Sequence, residues 1–140
     1  SVTPAAGSVN PLGAIAIGLG AGVICYYAVE LIHRTNLDDA LDVFAVHGVG
    51  GIIGILGTGI FAHKSGAIGI IGGSSELFID NLIMIMATVG YSFLVTYIVL
   101  KILDLVPGLG LRSSESNEDQ GLDVSDHGET AYISDGADTA

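Results

Sequence analysis

Three long apolar stretches limit what this 140-residue chain can fold into. The first runs from about Leu12 to Ile32 and is broken only by Glu30 near its end. The second runs from about Leu41 to Ala62 and contains His47. The third, Leu82 to Leu100, carries no charge, and with its apolar flanks it covers 78–106. At 1.5 Å per residue, each is long enough to cross a hydrocarbon core of about 30 Å. Lipid offers no partner for a backbone amide, so such stretches must be helices even though β-branched residues are plentiful in them. Three of them in one short chain argue against a soluble fold with buried core helices. The expected fold class is an all-α integral membrane protein with three transmembrane helices, about 12–32, 41–62 and 78–106, followed by an acidic tail.

Composition supports this. Half of the residues are hydrophobic, 14% are charged, and glycine occurs 21 times without a collagen-like period. Glycine within apolar stretches is typical of closely packed membrane helices, and Gly18 and Gly22 have the small-xxx-small spacing of such packing. The single Cys25 excludes a disulfide within the chain and any metal site built on several cysteines, and it reads as a small buried residue. No cofactor and no metal are expected. The chain opens Ser-Val-Thr-Pro, without Met, a basic segment or a cleavable apolar segment, and so reads as a sequence entered midway.

The net charge of −11 is unevenly placed. Eight of the 15 acidic residues follow Gly108, against one basic residue there, Arg112. This balance argues against nucleic acid as a partner. Residues 1–107 read as the membrane part and 108–140 as a soluble tail. The tail's composition predicts disorder, although the stretch from Gly121 to Tyr132 keeps enough apolar residues to dock on a surface. Arg34, Lys101 and Arg112 fall on one side of the membrane and Lys64 on the other. The positive-inside rule then places the tail and the first connection in the cytoplasm.

The connections are short. Asp38 and Asp39 are natural N-caps for the second helix, and Asp42 reads as a helix-dipole carboxylate at the interface. Between the second and third spans, the apolar octet Gly66–Gly73 is too short to cross and reads as a loop or a partly re-entrant segment. Gly48-Val49-Gly50-Gly51 lacks the spacing and the preceding strand of a nucleotide loop.

His47 is the residue with most chemical potential. Polar groups inside a bilayer are costly and mostly face a pathway or a partner. Helical stepping from His47 gathers Val43, Phe44, Gly50, Gly51, Gly54 and Thr58 on one face. The six glycines of this helix (48, 50, 51, 54, 57 and 59) would each cost about 1 kcal/mol relative to alanine in water. They make room for something, and either a neighbouring helix or a narrow lumen fits. A neutral imidazole both donates and accepts, so it can pass a proton or hold a small polar solute. It needs a second polar group to relay anything. His33 precedes the helix, and His63 lies about 24 Å further along its axis. The partner is expected outside this chain.

The run from Asp38-Asp39-Ala40-Leu41-Asp42-Val43-Phe44-Ala45-Val46-His47 to Gly51, with Thr58-Gly59-Ile60-Phe61-Ala62 and Val2-Thr3-Pro4-Ala5-Ala6-Gly7, closely resembles the signature of the ammonium transporter (Amt/Mep/Rh) family. Gly110-Leu111-Arg112 and Gly121-Leu122-Asp123 through His127-Gly128-Glu129 to Ala131-Tyr132 resemble that family's cytoplasmic C-terminal region. The residues after Tyr132 extend past it.

The resemblance implies an eleven-helix fold of two inverted five-helix repeats plus a long last helix, assembled as a homotrimer in the plasma membrane or the bacterial or archaeal inner membrane. This chain would supply the end of helix eight and helices nine to eleven. His47 would be the second histidine of a twin-histidine site in the pore, and Val43 a pore-lining residue. The other histidine, the external ammonium-recruiting site and its Phe gate would lie in the part that precedes. The activity implied is passage of ammonium or ammonia, not an enzymatic reaction. The alternative is an ammonium sensor that signals through a partner. The tail would be controlled by a PII-type protein or by a kinase. Ser125 stands near a phosphorylated position of plant members, and Gly128 in the docking motif.

Overall fold

The computed structural model describes residues 1–35, 37–64, 66–106, 108 and 110–130. Asn36, Ser65, Pro107 and the Ala131-Tyr132 end of the tail motif lie outside the described residues. The chain divides into two units, Ser1–Tyr91 and Ser92–Ala140. Three helices are long and apolar enough to cross a membrane: α1 (Pro11–His33), α2 (Phe44–Phe61) and α3 (Glu76–Asp104).

In the first unit, local chemistry sets each helix end. Pro11 opens α1, where its missing amide costs nothing, and the Asn10 side chain accepts a hydrogen bond from the Gly13 amide at 2.8 Å. After His33 the Thr35 hydroxyl donates to the Ile32 carbonyl at 2.7 Å, closing the helix. The second helix starts at Phe44, not at Leu41. The carboxylate of Asp39 accepts from the Val43 and Phe44 amides at 2.8 and 2.9 Å, which fixes the start there. Asp42 has a left-handed backbone (φ 53), a conformation Asp tolerates better than most residues. The opening of α2, Phe44–Val49, is a π-helical turn, and Gly50–Phe61 is regular α-helix.

The octet after α2 is folded. His63–Lys64 (β1) and Ala67–Ile68 (β2) form an antiparallel pair, His63 opposite Ile68, and Ile70–Gly72 is a single 3₁₀ turn. The Gly69 amide donates to the Ala62 carbonyl at 2.9 Å. A Cβ on Gly69 would stand 2.7 Å from the Gly59 and Ile60 carbonyls, so the segment lies against the end of α2. The segment expected to be a loop or partly re-entrant is a short antiparallel pair followed by a turn.

The interior is built on small residues. Ala5, Ile17, Ala21, Ala45, Ala62 and Ile85 are its buried apolar members. Ile17 of α1 sits where a Cβ on Gly57 would come within 2.7 Å, and Gly59 approaches the Phe78 backbone. The Asn81 amide of α3 donates to the Ile55 carbonyl of α2 at 2.8 Å, a type of interhelical bond worth roughly 0.6–1.7 kcal/mol in a bilayer. Among the described residues Gly18 and Gly22 of α1 meet no close neighbour, Gly18 only Val2 at 3.9 Å. Large side chains of α3 such as Ile83, Met86 and Tyr91 are exposed. In water such a surface would drive association; around membrane helices it belongs to lipid or to further helices.

In the second unit the tail is ordered between Arg112 and Glu129, contrary to the disorder its composition predicts. Two short helices, α4 (Glu115–Gln120) and α5 (Leu122–Ser125), meet at Gly121 (φ 94). Polar bonds replace the missing apolar core. The Arg112 guanidinium grips the Glu118 carboxylate through two bonds of 2.6 and 2.7 Å. Asp126 accepts from the Ser113 hydroxyl and, at 2.9 Å, from the Asn117 amide.

Candidate functional site

The site is the N-terminal half of α2, and the connection before it sets its position. The His33 Nε2 and an Asp42 oxygen lie 2.7 Å apart, so the end of α1 is tied to the start of α2. Asp39 secures the next two amides as described, with Asp38 exposed beside it. Asp42 therefore serves as the partner of His33 rather than only as a dipole carboxylate.

The residues gathered on one face by helical stepping separate in the structure. Gly50, Gly54 and Thr58 are buried, whereas His47, Val43 and Phe44 are exposed. A Cβ on Gly50 would stand 3.3 Å from the Cys25 sulfur, and one on Gly54 would overlap the Ser1 carbonyl. Among the described residues nothing stands within 4 Å of a Cβ on Gly51. The Phe44 ring lies against Gly48, 3.3 Å from the place of a Cβ. The π turn is the reason for the separation: stepping at 3.6 residues per turn does not hold across Phe44–Val49. The glycines thus divide. Gly50, Gly54 and Gly57 admit neighbouring backbone and side chains, and Gly51 meets no neighbour among the described residues.

Among the described residues the His47 side chain has no hydrogen-bonding partner, and no group of His, Cys, Asp and Glu has the arrangement of a metal site. His33 is engaged with Asp42, and His63 lies in β1 beyond the far end of α2. Among the described residues, His47 thus presents an imidazole outward from a packed helix with no partner.

In the tail, the Ser125 hydroxyl is half-buried and donates to the Asn117 and Gly121 carbonyls at 3.1 and 3.0 Å, tying α5 to α4. Gly128 has φ 66, and among the described residues nothing stands within 4 Å of a Cβ there. Arg112, bonded to Glu118, holds that carboxyl below its ordinary range, and the Ser113 and Asn117 bonds do the same for Asp126. Groups with a depressed folded pKa stabilise the fold above their unfolded pKa, and that stabilisation is lost as pH falls through the folded value. The tail should therefore keep its amide protection at neutral pH and lose it below about pH 4. Hydrogen exchange of residues 112–126, corrected for intrinsic rates, measures this; protection unchanged at acid pH would exclude these carboxylates as the tail's fastening.

A profile described as the Ammonium Transporter Family matches residues 1–132. The chain belongs to that family. It is 42% identical over 134 residues to ammonium transporter Amt1 of Archaeoglobus fulgidus, covering 94% of this chain and 34% of that protein. It is 41% identical over 137 residues to the ammonium transporter of Bacillus subtilis, covering 94% and 33%. For the ammonium transporter of Aquifex aeolicus the identity is 43% over 135 residues, covering 94% and 31%. The chain thus spans about a third of the length of the curated relatives it matches. Membership agrees with the three apolar helices: this is a membrane protein. Four features of this ammonium transporter family chain were not foreseen: the π turn, buried Ala45, the His33–Asp42 tie and the Asn81 bond. The spacing of five between the small residues Ala45 and Gly50 was a visible signal for the first two.

Proposed function

We propose that this chain is the C-terminal third of an ammonium transporter and supplies one wall of its pore. His47 is one member of a twin-histidine site, and Val43 lines the passage one turn away. The whole protein is an eleven-helix inverted repeat assembled as a homotrimer, with α1, α2 and α3 as helices nine, ten and eleven. The connection after α1 and the tail face the cytoplasm. The observation that supports this reading best is the placement of His47: it points away from the packed glycine face of α2, with no partner among the described residues, in a member of this family.

The chemistry follows from solvation. Carrying NH4+ through an apolar lumen would cost several kcal/mol or more. Removing its proton leaves NH3, which crosses at far lower cost. A neutral imidazole can accept from or donate to NH3, and two imidazoles in contact can hand a proton along. Val43 and Gly51 keep the passage narrow and apolar beside them.

The tail is the control point, reached by a PII-type protein or by a kinase. A phosphate on Ser125 would replace the hydroxyl that donates to two carbonyls and would separate α5 from α4. Gly128, with open space and a left-handed backbone, belongs to the docking surface.

The full-length protein reconstituted in liposomes tests the transport reading. Ammonium gradients should drive uptake or current that scales with the amount of inserted protein. Binding of ammonium without flux would replace transport by sensing.

A further inference from the structure

Residues on one face of an α-helix recur every three or four positions. From Gly50 onward the buried residues Gly50, Gly54, Gly57 and Thr58 of α2 obey this, and Gly59, also buried, faces Phe78 instead. Before Gly50 they do not. The covered residue is Ala45, 0% exposed and five positions away, while Val46, four positions away, is 45% exposed. Five is the interval of a π-helix, whose bonds join i to i+5, and Phe44–Val49 is π-helical.

A π turn rotates each residue by about 20° less than an α turn. Counted back from Gly50, His47 is displaced by about 50°, and Val43 by on the order of 100°, from its place on a continuous α-helix. That continuous helix would carry both residues in line with Gly54, on the face that receives α1 and the first residues of the chain. With the π turn both are exposed instead.

We infer that this turn sets the register of the pore wall: Ala45 and Gly50, small residues five apart, are positioning residues that keep α2 packed on α1 while the extra residue turns His47 and Val43 outward. The inference rests on the pathway reading of His47 given above. Contacts at both ends hold the turn open. Asp39 fixes the Val43 and Phe44 amides at its start. From α1, the Cys25 sulfur lies 3.3 Å from the Cβ position of Gly50, and its thiol donates to the Val46 carbonyl at 3.9 Å. π turns inside α-helices recur at functional sites, where one inserted residue re-aims a side chain without disturbing the packing beyond it.

Deleting Val46 from the full-length transporter tests this directly. The deletion brings Ala45 and Gly50 four apart, so α2 packs as a plain α-helix and His47 turns back toward the packed face. The variant should insert into liposomes, and its ammonium flux should fall by at least about tenfold, because displacing a group by about 1 Å already costs up to about a hundredfold. The ammonium-over-potassium selectivity of the residual flux should shift, which a mere loss of folded protein would not produce. Parental flux and selectivity would overturn the inference.

If the deletion does not insert, two point variants decide instead. Ala45→Leu should lower flux per inserted protein by about fivefold or more, and Val46→Leu should stay within about twofold of the parent. The opposite pattern, or no effect of either, would overturn the five-residue register. His47→Ala separates the two readings. Flux unchanged by His47→Ala removes the pathway reading; flux abolished by it but intact in the Val46 deletion removes the register inference alone.

Discussion

On the transport reading proposed above, His47→Ala in the full-length protein should lower ammonium current by at least about tenfold, equivalent to about 1.4 kcal/mol in the barrier, or destroy its selectivity over other cations. The reason is local. Among the described residues the imidazole is exposed and bonded to nothing, so its removal breaks no contact that holds α2 in place. Gly50, Gly54 and Gly57 stay seated against their neighbours. Protein level in the membrane should therefore match the parent, and the deficit should lie in the current per molecule. Solid-supported membrane recordings with ammonium and potassium pulses measure both quantities. Unchanged current together with unchanged selectivity would remove His47 from the pathway.

Gly59→Val has the opposite signature, a loss of assembled protein. A Cβ at this position would stand 2.8 Å from the Phe78 Cα and 3.2 Å from its Cβ. Backbone cannot rotate aside as a side-chain tip does. The Gly69 segment already closes the other side, where even a Cβ on Gly69 would stand only 2.7 Å from the Gly59 carbonyl. Overpacking a close-packed interior by a single methyl costs about 1–3 kcal/mol, and valine adds two more carbons. The full-length variant in detergent should melt several degrees below the parent or fail to accumulate, in line with about 1 kcal/mol moving a melting point by a few degrees. A melting curve superimposable on the parent's would mean that α2 and the start of α3 are not in this contact. Together the two substitutions test two proposed roles on one helix: His47 in passage, Gly59 in the joint.

The membrane helices were legible in the sequence because their signal is length and lack of charge, which packing cannot override. Expected bounds of 12–32 and 78–106 compare with Pro11–His33 and Glu76–Asp104. The second helix was less legible. Its apolar run begins at Leu41, but the Asp39 carboxylate captures the Val43 and Phe44 amides and fixes the start later. The face around His47 was misjudged because helical stepping assumes 3.6 residues per turn, and the π turn breaks that assumption at the position of interest. Glycines could mark room without telling who fills it. Cys25 and Ser1 are brought to Gly50 and Gly54 by tertiary packing alone. The tail failed for another reason. Composition weighs apolar content, whereas this segment is held by specific polar pairs, Arg112 with Glu118 and Asp126 with Ser113 and Asn117.

The last long helix has charged residues on both sides of its apolar stretch. Asp80 stands at one end and Lys101 at the other, with no charge between them. That interval is about 30 Å long, the thickness of an ordinary hydrocarbon core. The Lys101 ammonium lies 5.9 Å from the centre of the Tyr97 ring, an anchor suited to the headgroup boundary. The helix is therefore matched to one bilayer thickness. Acyl chains a few carbons longer would draw a carboxylate or an ammonium into hydrocarbon unless the lipid thinned around it. The acyl-chain length of the host membrane becomes a condition for this protein's stability, independent of the passage proposed above.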